Sequence, residues 1–185
     1  MTNILEQYQK HCNIVSDIHE HLPTLKKYSE GCDHITELGV RFAVSTWAFL
    51  AANPKKFVCV DYMHDHSALP RQLAEAAGIE FEFHLKSTVD PEFILEPTDL
   101  LFIDTWHCYE QLSTELKMHH SKANKYIIMH DTTLFGLRGE RDTSNPMPQS
   151  GKGLWTAVEE FLAEHPEWHL VERYTNNNGL TILGK

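Results

Sequence analysis

The 185-residue sequence lacks the features that mark several classes of protein. No apolar run approaches the roughly 20 residues that a membrane-spanning helix needs, and the first residues lack the apolar segment of a secretion signal. The four cysteines, Cys12, Cys32, Cys59 and Cys108, show no C-x-x-C spacing, which argues against a structural zinc site or a disulfide framework. We therefore expect a cytoplasmic protein with reduced thiols that does not contact the membrane.

Positive charge is also scarce. There are 16 Lys and Arg residues against 26 Asp and Glu residues, a net charge of -10. Proteins that bind nucleic acids present basic surfaces, so we expect no nucleic-acid partner. The 13 histidines are not in themselves a metal signal, because only His119 and His120 are adjacent. The length favours one domain over 1–185 with a helical segment over 1–31, and it is compatible with a homo-oligomer.

The stretch from Ile35 to Thr46 changes its hydrophobic period halfway. Before Gly39 it has the pattern of a short strand, and after Gly39 the apolar residues recur at helical spacing. Gly39 lies at the crossing, where the backbone needs a positive φ or a close approach to a ligand. In an open α/β sheet ligands bind outside the carboxyl ends of the strands, so a small molecule is expected at this turn.

This turn does not have the fingerprint of a dinucleotide-binding site. That fingerprint requires two further glycines, and Arg41 and Val44 occupy their positions. An acidic residue, Asp61, ends the next strand-like run, 22 residues after Gly39. A carboxylate there can bind both hydroxyls of a ribose without any phosphate being held.

The rest of the chain alternates between strand and helix patterns, which predicts a doubly wound, mostly parallel sheet. Strands are predicted up to Gly39 and over 56–61, 80–85, 99–103, 126–129, 168–174 and 180–183. Helices are predicted over roughly the first twenty residues, around 22–31, and over 44–53, 68–77, 109–120 and 152–164. The first helix could cover a cofactor or pack on the sheet edge, and we favour packing. The Asn and Gly residues of 175–179 indicate a hairpin, so one C-terminal strand must run antiparallel.

Two neighbouring strands of this predicted sheet end in chemically active residues. The fourth ends in Asp104, Thr105, Trp106 and His107, and the fifth in His130 and Asp131. Their ends should meet at the edge that carries Gly39. Carboxylate ligands suit Mg²⁺, whereas a coordinating His130 favours Mn²⁺, Fe²⁺ or Zn²⁺, and such an ion could lower the pKa of a substrate hydroxyl.

The connection from Leu134 to Lys152 is long and polar, and it contains Pro146 and Pro148. Long connections in compact domains are usually lids or disordered segments. We interpret it as a substrate lid, with Arg138 or Arg141 available for an acidic acceptor. Disorder is the alternative.

The Glu37-x-Gly39-x-Arg41-x-x-x-Ser45 motif followed by Asp61 resembles the class I methyltransferases that use S-adenosylmethionine. The similarity is greatest to the branch that contains catechol O-methyltransferase and the cephalosporin-hydroxylase-like proteins (methyltransferase family 24). The second group often has Ile-Asp-x-x-His-x-Tyr and His-Asp-Thr motifs, which match 103–109 and 130–132 here. The resemblance covers roughly Asp17 to the C-terminus. It implies a Rossmann-like, seven-stranded sheet with one antiparallel strand, and an S-adenosylmethionine-dependent O-methyltransferase acting on a small hydroxylated molecule.

Carried over by position, the resemblance also implies roles for individual residues. Asp104 and His107 are the expected catalytic residues, with His107 as general base. Asp104, His130 and Asp131 are the expected metal ligands, for Mg²⁺ or another divalent ion. The expected cofactor-binding residues are Glu37, Gly39, Arg41, Ser45 (on the methionine carboxylate), Asp61, Ser87 (near the adenine), Asp104 and Trp106.

This chain departs from the pattern in three places. Ala43 replaces the second glycine of the motif, His107 replaces a lysine, and His130 replaces an acidic metal ligand. Alternatives also stay open from the residues alone: Asp104 and Asp131 as helix or turn caps, Trp106 as a packing residue, and His107 as a helix residue without a catalytic role. For the whole chain, the alternatives are a cofactor-binding domain without transferase activity and an oxidoreductase that uses a nicotinamide cofactor.

Overall fold

The computed structural model describes residues 2–63, 65–141, 144–145, 147 and 149–185. Within these residues, α-helices separate β1 from β2, β2 from β3 and β4 from β5, a connection without a helix joins β3 to β4, and a hairpin follows the last helix. The strands are β1 (His34–Leu38), β2 (Lys56–Asp61), β3 (Glu80–Leu85), β4 (Thr98–Ile103), β5 (Ala123–His130), β6 (His169–Tyr174) and β7 (Leu180–Gly184). The α-helices are α1 (Ile4–Cys12), α2 (Leu22–Ser29), α3 (Thr46–Leu50), α4 (Ala68–Ala76), α5 (Tyr109–His119) and α6 (Leu154–Glu164), with short 3₁₀ turns at His19–His21 and His120–Lys122.

The strands form one sheet in the order β3-β2-β1-β4-β5-β7-β6. β7 pairs antiparallel with both β5 and β6, so six strands run in one direction and one is reversed. The reversal follows from the turn before β7, where Asn177, Asn178 and Gly179 all have positive φ, a conformation that these residue types tolerate well. The predicted doubly wound sheet with one antiparallel C-terminal strand is confirmed.

The chain changes winding direction at β1, which lies between β2 and β4. Leu38 at the end of β1 is in register with Val60 on one side and Ile103 on the other, so the three strands end side by side. Crevices for ligands form outside the carboxyl ends of strands at such a switch point. The topology therefore brings the turns after β1, β2 and β4 to one edge of the sheet.

Two apolar cores lie on opposite faces of the sheet. One includes Phe49 of α3 and Phe57 of β2, and the other includes Leu116 of α5 and Leu101 of β4. Burying each of these large apolar side chains contributes about 1.5–3 kcal/mol, so packing on both faces stabilises the strands whose ends carry the site.

The N-terminal helix is shorter than the sequence predicts. It ends at Cys12, and Val15, which lies within the predicted helix, is 86% exposed. Asn13 caps the helix by donating a side-chain hydrogen bond to the carbonyl of Gln9, and the chain then leaves the helical path. The helix packs mainly on other helices and not on the sheet edge: Ile4 and Tyr8 contact the apolar core, and His11 stacks on Trp47 of α3.

The helix predicted over 44–53 is reduced to α3, Thr46–Leu50. Arg41 and Ala43 have φ values of 46° and 58°, so the chain makes tight turns after Gly39 instead of entering the helix directly. Among the described residues, no helix combines the length and hydrophobicity needed to cross a bilayer.

Candidate functional site

A cavity of about 550 Å³ opens at the carboxyl edge of the sheet. Its walls come from the end of β2 and the turns after β1, β2, β3, β4 and β5, together with Asp17, Gln111 of α5, Glu140 and Met147. The predicted site residues that line it are Gly39, Arg41, Asp61, Ser87, Asp104, Trp106, His107 and Asp131. Glu37, Ser45 and His130 do not line it, and each of them lies directly behind residues that do.

Gly39 lets β1 and β4 approach each other at the base of the cavity. Its φ is +84°, and a Cβ atom there would lie 2.0 Å from the carbonyl oxygen of Asp104. The amide of Asp104 also donates to the carbonyl of Leu38 at 2.8 Å. Gly39 is therefore needed both for its conformation and for the close passage of the β4 turn.

Asp61 closes β2 and faces the cavity from the side opposite Asp104. One carboxylate oxygen accepts hydrogen bonds from the backbone N–H groups of Val40 (2.8 Å) and Arg41 (2.9 Å), and the other accepts from the N–H of Met63 (2.8 Å). The same carboxylate lines the cavity at the end of β2. The backbone bonds hold the carboxylate in one orientation before any ligand binds.

Glu37 and Ser45 were expected to contact the cofactor, but in this structure they contact each other. The Ser45 hydroxyl donates to one oxygen of the Glu37 carboxylate, and Thr46 Oγ1 donates to the other at 2.6 Å. Glu37 is fully buried, and burial raises its pKa to about 8 against the opposing effect of these two hydrogen bonds. Two hydroxyl donors from the start of α3 thus offset the free-energy cost of burying an acid in an apolar strand. The same hydrogen bonds tie β1 to the start of α3 and so hold the turn that carries Gly39.

Ser87 and Trp106 lie on the walls where the resemblance places the adenosine. Trp106 faces Tyr62 with ring centroids 5.7 Å apart. Arg41 reaches across the mouth of the cavity, and its guanidinium pairs with Asp17 at 2.8 Å. Tyr62, Met63 and Phe42 around the same mouth are between 59% and 65% exposed, which leaves an apolar rim for a ligand to cover.

Two carboxylates and two imidazoles converge at the ends of β4 and β5. His107 Nε2 lies 2.9 Å from Asp131 Oδ2 and 3.5 Å from Asp104 Oδ1. His130 Nδ1 lies 3.1 Å and 3.4 Å from the same two oxygens. Asp131 has a φ of 59°, a strained conformation that aims its carboxylate at both rings.

These contacts set the ionisation of the four groups. Burial alone would lower the pKa of His107, but its hydrogen bonds with Asp104 and Asp131 outweigh burial and raise it to about 10. For Asp104, burial acts to raise the pKa, and the charges of His130 and His107 hold it well below its usual range. His107 therefore carries a proton at neutral pH in this arrangement. It can act as a base only when another cation takes up the charge of the carboxylates.

The donor set fits a divalent cation. His130 Nε2 donates to the carbonyl of Asn177 at 3.1 Å, which leaves Nδ1 as the atom that faces the carboxylates. Nδ1 of His130 and Oδ1 of Asp131 are buried and make no hydrogen bond with the described residues. A histidine whose second ring nitrogen donates to a backbone carbonyl is the usual arrangement around protein-bound metals. The ligand atoms of Asp104, His107 and Asp131 also lie within 4.8 Å of one another, so His107 belongs to the same cluster.

The described part of the connection from Leu134 to Lys152 packs against this cluster. The backbone N–H of Glu140 donates to the carbonyl of His107 at 2.7 Å, and its carboxylate lies 2.9 Å from His107 Nδ1. Glu140 and Met147 line the cavity. Arg138 and Arg141, expected to bind an acidic acceptor, are exposed and do not line it. Pro146 and Pro148 lie outside the described residues.

Sequence reasoning missed Glu140 and a buried acid, Glu115, in the middle of α5. Glu140 lies in a polar connection with no periodicity, so nothing in the sequence distinguishes it. Glu115 carried a signal, because Gln111, Glu115 and His119 recur every four residues on the helix.

The sheet order, the reversed β7, and a cavity above β1 bounded by an acid after β2 define a class I methyltransferase, an enzyme that uses S-adenosylmethionine. The family described as rhamnosyl O-methyltransferase/CmcI matches residues 32–184, and the chain belongs to it. The resemblance inferred from the sequence is thereby confirmed.

Solved structures support the same fold at low sequence identity. An O-methyltransferase from Bacillus cereus in complex with S-adenosylhomocysteine is 16% identical, with a TM-score of 0.61 over 98% of this chain and 90% of that one. The O-methyltransferase TomG from Streptomyces achromogenes, in complex with S-adenosylmethionine, is 15% identical, with a TM-score of 0.61 over 100% and 90%. The methyltransferase PaMTH1 from Podospora anserina, bound to S-adenosylhomocysteine, is 16% identical, with a TM-score of 0.62 over 97% and 86%. No curated protein sequence matches the chain.

Proposed function

We propose that this chain transfers the methyl group of S-adenosylmethionine to a hydroxyl group of a small molecule, with a divalent ion beside the acceptor. The observation that supports this most strongly is that one cavity contains both a candidate cofactor site and a candidate metal site. Asp61 and the Gly39 turn form one side, and the cluster of Asp104, His107 and Asp131 forms the other.

The cofactor would lie across β1 and β2. Asp61 would accept from the two ribose hydroxyls, and the Gly39 turn would pass beside the methionine end. Trp106 and Ser87 would contact the adenosine. Arg41, which lines the cavity, would bind the methionine carboxylate. To do so, its guanidinium would leave its ion pair with Asp17. Glu37 and Ser45 would act by holding the turn, without touching the cofactor.

Methyl transfer is an in-line displacement. The acceptor oxygen forms a bond to the methyl carbon as the carbon–sulfur bond breaks, and the positively charged sulfonium becomes a neutral thioether. The acceptor must also lose its proton, and the chain's main tasks are to align the oxygen and receive that proton. His107 lines the cavity and would receive it at Nε2, and its stacking on Phe135 (4.8 Å between ring centroids) holds the ring in place.

Asp104, His130 and Asp131 would hold the divalent ion, with His107 adjacent. When bound, the ion would lower the pKa of the acceptor hydroxyl. The histidine donor favours Mn²⁺, Fe²⁺ or Zn²⁺ over Mg²⁺.

The acceptor would be small and without strong negative charge. Asp17, Glu140, Asp104 and Asp131 line the cavity, and the exposed arginines of the long connection do not. The net charge of -10 likewise disfavours nucleic acid. A cytoplasmic location and assembly into a homo-oligomer remain part of the proposal, and light scattering after size exclusion tests the second.

The test is to incubate the protein with S-adenosylmethionine, Mn²⁺ and a pool of hydroxylated small molecules, and to follow S-adenosylhomocysteine and new methylated products by mass spectrometry. Product that requires the protein supports the proposal. Cofactor binding without product over a broad acceptor set would favour a binding domain without transferase activity. Absence of cofactor binding would overturn the function altogether.

A further inference from the structure

Helix α5 carries a row of buried polar side chains on the face that packs towards the sheet. Gln111, Glu115 and His119 are 4%, 0% and 2% exposed, and each follows the previous one by four residues. Residues at this spacing lie one above another on a helix. Burying three polar groups costs free energy unless each is hydrogen-bonded, so their partners should explain why the row exists.

All three side chains bond to the same part of the structure. Glu115 Oε1 accepts from Thr88 Oγ1 at 2.5 Å and from Gln111 Nε2 at 2.8 Å, and Glu115 Oε2 accepts from Thr105 Oγ1 at 2.8 Å. Gln111 Nε2 also lies 3.0 Å from Thr88 Oγ1, and His119 Nε2 lies 2.7 Å from the carbonyl of Thr88. The row therefore binds two threonines.

These threonines belong to two different turns that line the cavity. Thr88 follows β3, next to Ser87, and Thr105 stands between Asp104 and Trp106 after β4. In the sheet β3 and β4 are separated by β2 and β1, so no backbone pairing links the two turns directly. The single carboxylate of Glu115 on α5 accepts a hydrogen bond from each turn and so links the two.

We propose that Glu115 is a positioning residue that sets the spacing between the turn after β3, which carries Ser87, and the turn after β4, which carries Asp104 and Trp106. Glu115 is fully buried and does not line the cavity, so it acts through Thr88 and Thr105. This inference rests on the proposed function, since it assigns these two turns to the binding of cofactor and acceptor. Loss of the carboxylate leaves both turns in place locally and removes their common anchor.

The test compares Glu115→Met with Leu116→Met. Leu116 is the next residue of α5, equally buried, and packs only in the apolar core, so the pair introduces the same side chain with and without loss of the hydrogen bonds. We expect Glu115→Met to weaken S-adenosylhomocysteine binding about tenfold in calorimetry and to raise the KM for S-adenosylmethionine more than it lowers kcat. The affinity of Leu116→Met for S-adenosylhomocysteine should be within about twofold of wild type. The affinity of Glu115→Gln should lie between those of wild type and Glu115→Met.

A purely structural role would lower the melting temperature of Glu115→Met and leave the affinity of the folded protein unchanged, which would overturn the inference. If Glu115→Met does not fold, Glu115→Gln is compared with Leu116→Met in the same way, because it keeps the size of the side chain and removes one acceptor oxygen. Weaker S-adenosylhomocysteine binding in Glu115→Gln than in Leu116→Met supports the inference, and equal binding in the two variants overturns it. Failure of the wild-type protein to bind S-adenosylhomocysteine would instead overturn the proposed function, and this role with it.

Discussion

Gly39 lies directly against the backbone of Asp104: a Cβ atom on Gly39 would be 2.0 Å from the Asp104 carbonyl oxygen and 2.6 Å from its carbonyl carbon. Because both contacts are to backbone, neither can be relieved by the rotation of a side chain. The turn after β1 and the turn that carries Asp104 can therefore pack together only because residue 39 has no side chain.

Gly39→Ala should thus displace the Asp104 turn as well as strain its own backbone. We expect a loss of unfolding free energy of about 2–4 kcal/mol and S-adenosylhomocysteine binding weakened by roughly tenfold or more. Gly78→Ala is the matched control, because Gly78 has nearly the same φ (+80°) with no atom within 4 Å of a Cβ. Gly78→Ala should lose only the unfolding free energy that corresponds to backbone strain, about 1–2 kcal/mol, and should bind S-adenosylhomocysteine like wild type. Equal effects in urea unfolding and in calorimetry would show that the clash with Asp104 is unimportant.

His107→Gln removes the proposed proton acceptor and keeps a polar side chain of similar size. We expect kcat to fall by about 10²–10⁴-fold while S-adenosylhomocysteine affinity changes by less than about threefold, since general-base catalysis acts on the reaction and not on cofactor binding. The measurement is steady-state kinetics once an acceptor is known. His169→Gln, at an exposed histidine of β6, should retain wild-type rates. Comparable kcat values in His107→Gln and wild type would remove His107 from the mechanism.

His130→Gln tests the metal ligands. The buried Nδ1 of His130 lies 3.1 Å from Asp131 and 3.4 Å from Asp104 without the geometry of a hydrogen bond, an arrangement that a shared cation would stabilise. We expect Mn²⁺ affinity, measured by electron paramagnetic resonance titration, to fall roughly tenfold or more in His130→Gln and further in Asp104→Asn. If wild type and both variants bind Mn²⁺ equally weakly, the cluster is a network of ion pairs and not a metal site.

Glu37 should make stability depend on pH. Its pKa is about 8 in the folded protein because it is buried, against about 4.3 in an unfolded chain. The folded state therefore binds the proton more tightly. Stability from this group is full below about pH 4.3 and is lost as pH rises towards 8, by an amount on the order of a few kcal/mol.

Glu37→Gln removes that titration. Urea unfolding with a chelator present, at pH 5, 6.5 and 8, should show the variant gaining stability relative to wild type as pH increases. Other titrating groups are common to the two proteins and cancel in the difference. Parallel stability profiles would contradict a buried, protonated Glu37.

The cluster of acids and histidines at the ends of β4 and β5 was predictable for two reasons. The run that ends at Ile103 is continuously apolar and reads as a buried strand, and so does the run that ends at Met129. Since the ends of neighbouring parallel strands meet, Asp104 and Asp131 had to approach each other, and β4 and β5 are indeed paired.

The turn after β1 was harder to predict. The family resemblance implied that Ser45 would contact the methionine carboxylate, but a sequence motif does not reveal how the chain leaves Gly39. Positive φ values at Arg41 and Ala43 delay α3 until Thr46 and turn Ser45 back onto Glu37. A left-handed conformation costs an alanine about 1–2 kcal/mol, and no pattern in a single sequence indicates that Ala43 adopts this conformation.

The polar row of α5 was missed for a related reason. Hydrophobic periodicity identified the helix through Leu112 and Leu116, and by that criterion Glu115 counts as a solvent-facing residue. Only tertiary packing brings Thr88 and Thr105 to its carboxylate.

The most direct measurement is a crystal structure of the protein grown with S-adenosylhomocysteine and Mn²⁺. We predict the nucleoside in the cavity above β1, with its ribose hydroxyls on Asp61, and an anomalous signal from manganese between Asp104, His130 and Asp131. A cavity that stays closed to the nucleoside at saturating concentration, or a nucleoside bound away from Asp61, would contradict the account.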